Sequence, residues 1–176
     1  MIRPLQLFYS ESLRKPCIKF DFKNPPEDPI ELAHDLAQSM IQYNGIGLAA
    51  NQVGLPYRVF ALKTQPIIVA FNPIIVDTST EIVMMEEACL SWPGIVFNIK
   101  RPKSIRMRYT EPNGNVETKK FTGITARTVQ HEIDHLDGHI FAPNLSRAAI
   151  ELAIKKAKKR GANYTISDFL KGEPVQ

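Results

Sequence analysis

Residues 130 to 138 read Gln130-His131-Glu132-Ile133-Asp134-His135-Leu136-Asp137-Gly138. On a helix, His131 and His135 lie one turn apart on the same face, so both imidazoles can bind one metal ion. Glu132, beside the first histidine, is then within reach of a water molecule at that metal. The flanks are apolar, and a helix is expected from about Thr125 to Asp137 with Gly138 as its C-terminal cap. The competing reading, two histidines on a solvated helix face, is outweighed because three of the chain's four histidines fall between residues 131 and 139.

A catalytic metal of this kind needs a third protein ligand and one open position. In the longer H-E-x-x-H-x-x-G-x-x-H pattern Gly138 fits, but Phe141 stands where the third histidine should be, and His139 is out of register. The remaining candidate is a thiolate, Cys89, in the polar, turn-prone segment Glu86-Glu87-Ala88-Cys89-Leu90-Ser91-Trp92-Pro93-Gly94. Alone, a cysteine here would read as a small buried hydrophobe, and only the histidine pair argues otherwise. Cys17, near Lys15 and Lys19 with no partner motif, keeps the buried reading. A third stretch, Gly45-Ile46-Gly47-Leu48-Ala49-Ala50-Asn51-Gln52, has two glycines that permit close backbone approach and an amide able to donate to a developing oxyanion. A glycine-rich helix end explains that pattern equally well.

The chain has 176 residues, 44% hydrophobic and 23% charged, which suits one domain spanning residues 1 to 176 and excludes a disordered chain. No run of 18 apolar residues and no secretory leader is visible, so a soluble protein of the cytoplasm is expected, with no membrane partner. Two cysteines make no disulfide framework. A first helix is expected from about 29 to 43, capped by Asp28 and ended at Asn44-Gly45. Short strands follow: Tyr57 to Leu62, Ile67 to Phe71, Ile74 to Val76, Ile82 to Met85 and Ile95 to Ile99. Ile105, Met107 and Tyr109 alternate with Arg106, Arg108 and Thr110, and Pro112-Asn113-Gly114 turns the chain into Val116 to Phe121, a hairpin with one wet face. Strands before helices, without βαβ alternation, give an α+β class. Antiparallel strands would pack around a central metal-binding helix, with an N-terminal helix and a basic C-terminal helix.

The C-terminal helix, residues 146 to 160, carries six of the 22 basic residues and one of the 18 acidic ones, although the net charge of the chain is only +4. Ile150, Ala153, Ile154 and Ala157 form an apolar stripe, while Lys155, Lys156, Lys158, Lys159 and Arg160 crowd the far end. This concentration suits contact with an anionic partner rather than general coating of DNA. Arg127 and Thr128, four and three residues before His131, turn toward the metal side. Arg127 is expected to pair with a buried carboxylate or reach solvent, the alternative being contact with a peptide substrate.

Together the three segments resemble peptide deformylase, a family with the motifs G-Φ-G-Φ-A-A-x-Q, E-G-C-Φ-S and Q-H-E-Φ-D-H-Φ-x-G in this order, Φ being apolar. The resemblance spans residues 45 to 138 and departs from the pattern at Ala88, where the family has glycine. It implies removal of the formyl group from the N-terminal formylmethionine of nascent polypeptides, with release of formate. It implies Cys89, His131 and His135 as ligands of one divalent ion, with Fe(II) expected and zinc, nickel or cobalt also compatible. Glu132 would move the proton, Gln52 and the Leu90 backbone N–H would stabilise the oxyanion, and Ile46 and Gly47 would bind the substrate. In bacterial relatives a C-terminal extension docks on the ribosome, the role expected for residues 146 to 160. Deleting residues 155 to 176 should then spare turnover of short peptides. Two other functions fit the motifs: an HExxH metallopeptidase, and a structural-metal module binding ribosomal RNA.

Overall fold

The computed structural model describes residues 1–140 and 145–170; Phe141 lies outside the described residues. The first helix, α1 (Pro29–Gln42), starts where Asp28 accepts hydrogen bonds from the Ile30 and Glu31 backbone N–H groups, with Pro29 at the first helical position. It ends at Asn44, which takes the left-handed conformation (φ 55°) in place of the neighbouring glycine. A Cβ at Gly45 would press on Leu90 Cδ1 at 2.9 Å and on the Gly47 carbonyl oxygen at 3.0 Å.

Strands β1 (Gly47–Ala49), β2 (Val59–Leu62), β3 (Ile68–Thr78), β6 (Ser104–Thr110) and β7 (Val116–Thr122) form an antiparallel sheet in the order β1-β2-β3-β6-β7. Between β3 and β6 the chain makes a separate antiparallel ribbon of β4 (Ile82–Cys89) and β5 (Trp92–Pro102). The expected strands at 67–71 and 74–76 are one strand. Asn72 (φ 49°) and Pro73 sit at a register shift inside β3, where a bulge accommodates the missing proline N–H. The Asn72 side chain uses the distortion, accepting from Phe20 N and donating to Phe20 O.

Alternation along β1 and β2 explains why both are buried on both faces. Leu48, Val59 and Ala61 pack under α1 with Leu32, Leu36 and Met40. Ala49, Phe60 and Leu62 face the opposite way and pack with Met107, Tyr109 and Phe121 against Ala126, Val129, Ile133 and Leu136 of α2 (Gly123–Leu136). On β6, Arg106 and Arg108 face solvent as expected. Helix α2 stops at Gly138 (φ 80°), where His139 N–H closes on the Asp134 carbonyl.

The apolar stripe of α3 (Arg147–Lys158) is seated on the ribbon. Ile150, Ala153 and Ala157, with Tyr164 and with Phe169 of α4 (Ile166–Leu170), close over Trp92, Ile95, Phe97 and Ile99. Trp92 is fully buried and stacks on Phe169 with ring centroids 4.3 Å apart. The expectation that residues 155–176 can be deleted harmlessly therefore meets a packing objection. The deletion would remove Ala157, Tyr164 and Phe169 from the cluster that also contains Cys89. Lys155, Lys156, Lys158, Lys159 and Arg160 remain exposed. Among the described residues no helix is long and apolar enough to cross a membrane.

Candidate metal centre

The site forms where the Cys89 end of β4, the glycine-containing β1 and the C-terminal half of α2 meet. Cys89 Sγ lies 3.1 Å from His135 Nε2, and one donor atom each from Cys89, His131 and His135 falls within 4.8 Å of the others. The two imidazoles are nearly perpendicular, at 84°. Glu87 Oε2 faces His131 Nδ1 at 3.1 Å, which orients the ring so that its other nitrogen turns toward Cys89. Two buried atoms, His135 Nδ1 and Glu132 Oε2, have no hydrogen-bond partner. A buried thiol and two imidazoles converging on one point, with the unsatisfied Glu132 Oε2 on the neighbouring residue of the helix, fit a divalent ion that accepts sulfur and nitrogen ligands.

Burial is the largest single influence on each of the four ionisable groups around the site, but it sets the outcome only at Glu132 and His135. It raises the Glu132 carboxyl to about 7, against the opposing pull of His131. His135 is driven well below the ordinary imidazole value by burial and by the charge of its neighbour His131. Burial acts the same way on His131, but its bonds to Cys89 and Glu87 prevail and raise it well above that value. For Glu87 burial alone would favour the neutral acid; the bonds from His131 and Arg101 overcome it and hold the group at about 2.

Gln52, in the 3₁₀ turn Ala50–Val53 after β1, is fixed by Ala49 N–H donating to its Oε1 at 2.9 Å. Its Nε2 thereby points at Cys89 Sγ (3.5 Å) and Ser91 Oγ (3.2 Å). Gly47 lies against Glu132: a Cβ there would collide with the Glu132 carboxylate and come within 2.7 Å of Thr128 Cγ2. A cleft of about 370 Å³ opens over this assembly, lined by Ile46, Gly47, Gln52, Cys89, Leu90, His131 and Glu132, with Arg127 and Thr128 on its wall. His135 sits behind it, 1% exposed, while Ile46 stands at the rim. The eight residues to which the resemblance gave site roles thus lie in or directly behind one cleft.

The model of the polypeptide deformylase family matches residues 2–150. The chain belongs to this family. It is accordingly an enzyme, a metal-dependent hydrolase of the peptide deformylase type. A peptide deformylase of Rhodopseudomonas palustris (strain TIE-1) is 42% identical over 147 residues, 76% of this chain and 83% of the relative. Peptide deformylase 1 of Nostoc sp. is 34% identical over 169 residues, 92% of this chain and 88% of its own. The crystal structure of a peptide deformylase from Synechococcus elongatus in complex with actinonin matches with a TM-score of 0.83 at 28% identity, over 98% of this chain and 91% of that one. The mixed helix and antiparallel-sheet fold is therefore that of solved deformylases.

Ala88, the departure from the family pattern, pairs with Val96 within the ribbon. Its backbone is not among the left-handed residues, so its methyl group brings no strain of that kind. Sequence reasoning missed Arg101 and the role of Glu87. Both were visible as parity: Glu87 shares the inward phase of Cys89 on β4, and Arg101 that of Ile95, Phe97 and Ile99 on β5. Arg127 takes the expected buried carboxylate, with Nη1 donating to Glu87 Oε1 at 2.5 Å.

Proposed function

We propose that residues 1 to 176 work as a single catalytic domain that removes the formyl group from N-terminal formylmethionine of nascent polypeptides, in the cytoplasm. The observation that carries this reading is the meeting of Cys89, His131 and His135 with the Glu132 carboxylate and the Gln52 amide beneath one open cleft. Cys89, His131 and His135 would hold one divalent ion, Fe(II) in the native enzyme, on the helix that carries the H-E-x-x-H motif. When bound, the ion supplies Lewis acidity that makes water nucleophilic near neutral pH.

The chain's own groups account for the remaining steps. Glu132, with its carboxyl raised to about 7, exchanges a proton readily at neutral pH. It takes one from the attacking water and returns it to the leaving amine nitrogen. Gln52 Nε2 and the Leu90 backbone N–H donate to the oxygen of the tetrahedral adduct, each such donor being worth about 2.7–4 kcal/mol in comparable sites. Ile46 and Gly47 receive the substrate, Ile46 at the rim and Gly47 as backbone beside Glu132. The exposed cations at the end of α3 would form a separate contact surface for the ribosome.

Formate release from formyl-Met-Ala-Ser, set against hydrolysis of the unformylated tripeptide, tests the reading. Metal-dependent formate release with an inert unformylated peptide is expected. Cleavage of the unformylated peptide without formate release from the formylated one would overturn it in favour of a metallopeptidase.

A further inference from the structure

The three candidate ligands come from two separately built elements. Cys89 ends β4 of the ribbon, whereas His131 and His135 belong to α2, which packs mainly on the five-stranded sheet. Their mutual geometry depends on whatever ties the ribbon to the helix. Two buried arginines make that tie in opposite directions. Arg101, on β5, grips Glu87 through Nε and Nη2 at 2.6 and 2.9 Å and reaches Asp134 of α2 through Nη1 at 2.7 Å. Arg127, on α2, reaches back to the ribbon. Its Nη1 donates to Glu87 Oε1 at 2.5 Å and to the Ile99 carbonyl at 2.9 Å, and its Nη2 to the Val83 carbonyl at 2.6 Å. Arg127 thus holds the backbone of β4 and β5 at once, and the carboxylate that orients His131.

We propose that Arg127 is a positioning residue that keeps the Cys89 strand in register with the two-histidine helix and so sets the spacing of the ligand set. This rests on reading Cys89, His131 and His135 as ligands. Three features argue for positioning over simple burial of a charge. The guanidinium is 4% exposed, yet its acceptors come from both strands of the ribbon, so it acts as a brace between elements. Arg127 donates to the Glu87 carboxylate and to two backbone carbonyls, so its removal takes one of the cations from Glu87 and leaves the Ile99 and Val83 carbonyls without these donors. The planar fork matches three acceptors in different directions, which a lysine ammonium on a flexible stem does not reproduce.

Arg127→Leu and Arg127→Lys test the proposal on the full chain, stripped of metal and titrated with Co(II). The readings are affinity by chelator competition, the thiolate-to-cobalt charge-transfer band at saturation, and thermal unfolding of the metal-free protein. Wild type should bind one Co(II) with a clear thiolate band. Arg127→Leu should lose about 10- to 100-fold in affinity, the usual effect of removing a group that orients a ligand, and show a weakened band even at saturation. Arg127→Lys should recover part of the affinity without the full band. Either variant with wild-type affinity and band would overturn the proposal. So would weaker binding with an unchanged band and a lowered melting temperature, which marks a stability effect alone. If Arg127→Leu does not fold, the lysine variant decides by the same readings. A wild-type protein that takes up cobalt without a thiolate band removes the ligand reading itself.

Discussion

Replacing Gly47 with alanine adds one methyl group at the tightest point of the site. That carbon would overlap the Glu132 carboxylate, lie 2.8 Å from Glu132 Cδ and 2.7 Å from Thr128 Cγ2, where ordinary contact begins near 3.4 Å. Relief requires β1 and α2 to part, or Glu132 to swing, by about 1 Å. Overfilling of this kind costs roughly 1–3 kcal/mol, which for a chain of this length corresponds to a melting temperature lower by about 2–12 °C. The catalytic cost should be larger, since a displacement near 1 Å at a reacting group lowers rates about 100-fold. Gly47→Ala should therefore retain one metal ion per chain while kcat for formyl-Met-Ala-Ser falls about 100-fold. A carboxylate pushed toward solvent also loses the burial that holds it at about 7, so the acid limb of the pH–rate profile should move to lower pH. Metal content, stopped-time formate assays from pH 5 to 9 and a thermal melt measure all three. A variant with wild-type kcat and an unmoved acid limb would refute the contact between Gly47 and Glu132 as the basis of proton transfer.

Cys89→Ala should abolish stoichiometric metal binding, as measured by elemental analysis of freshly purified protein; full occupancy in the variant would remove Cys89 from the ligand set. Glu132→Ala should keep its metal yet lower kcat at least 100-fold, and unchanged turnover would assign the proton transfer to another group. Burial opposes ionisation of Glu87 but its partners hold it at about 2 against an ordinary 4.5. Its folded pKa is depressed, so its contribution of about 3 kcal/mol is present above pH 4.5 and lost as pH falls toward 2. Urea unfolding of metal-free wild type and Glu87→Gln at pH 6 and pH 3 should show the steeper acid loss in wild type; equal losses would contradict the assignment. Changing Lys155, Lys156, Lys158, Lys159 and Arg160 together to glutamine, in preference to deletion, should weaken salt-sensitive co-sedimentation with ribosomes while sparing short-peptide turnover. Wild-type protein that fails to sediment even at low salt would end the docking idea.

Elements with a strong period were legible in the sequence. Helix α1 with its Asp28 cap, the helix carrying His131 and His135, and the hairpin with Arg106 and Arg108 facing out all follow from spacing and turn chemistry. Strand β1 was not, because Gly47, Leu48 and Ala49 are too few to show alternation and are buried on both faces. The Asn72-Pro73 pair separates two apolar stretches in the sequence, yet a left-handed Asn72 lets β3 continue past the proline. At the site, the histidine pair reads directly from the sequence. The ionic lattice around Glu87 does not, because hydropathy assigns charged side chains to the surface and their burial follows only from pairing between strands and helix. The apolar stripe of α3 was visible, but its seat on the ribbon depends on contacts between residues far apart in sequence.

The backing of the Cys89 ribbon by Tyr164 and Phe169 also orders events in time. During synthesis Cys89 leaves the ribosome first, the two histidines follow, and the aromatic side chains that close behind Trp92 come last. At about 5–20 residues per second, the 80 residues between Cys89 and Phe169 take roughly 4–16 s to make. Until then the cluster that holds Cys89 lacks the two rings that complete it. All three candidate ligand residues are thus made before the rings that back one of them, so the packing behind Cys89 is completed after the ligand set itself is present in the chain.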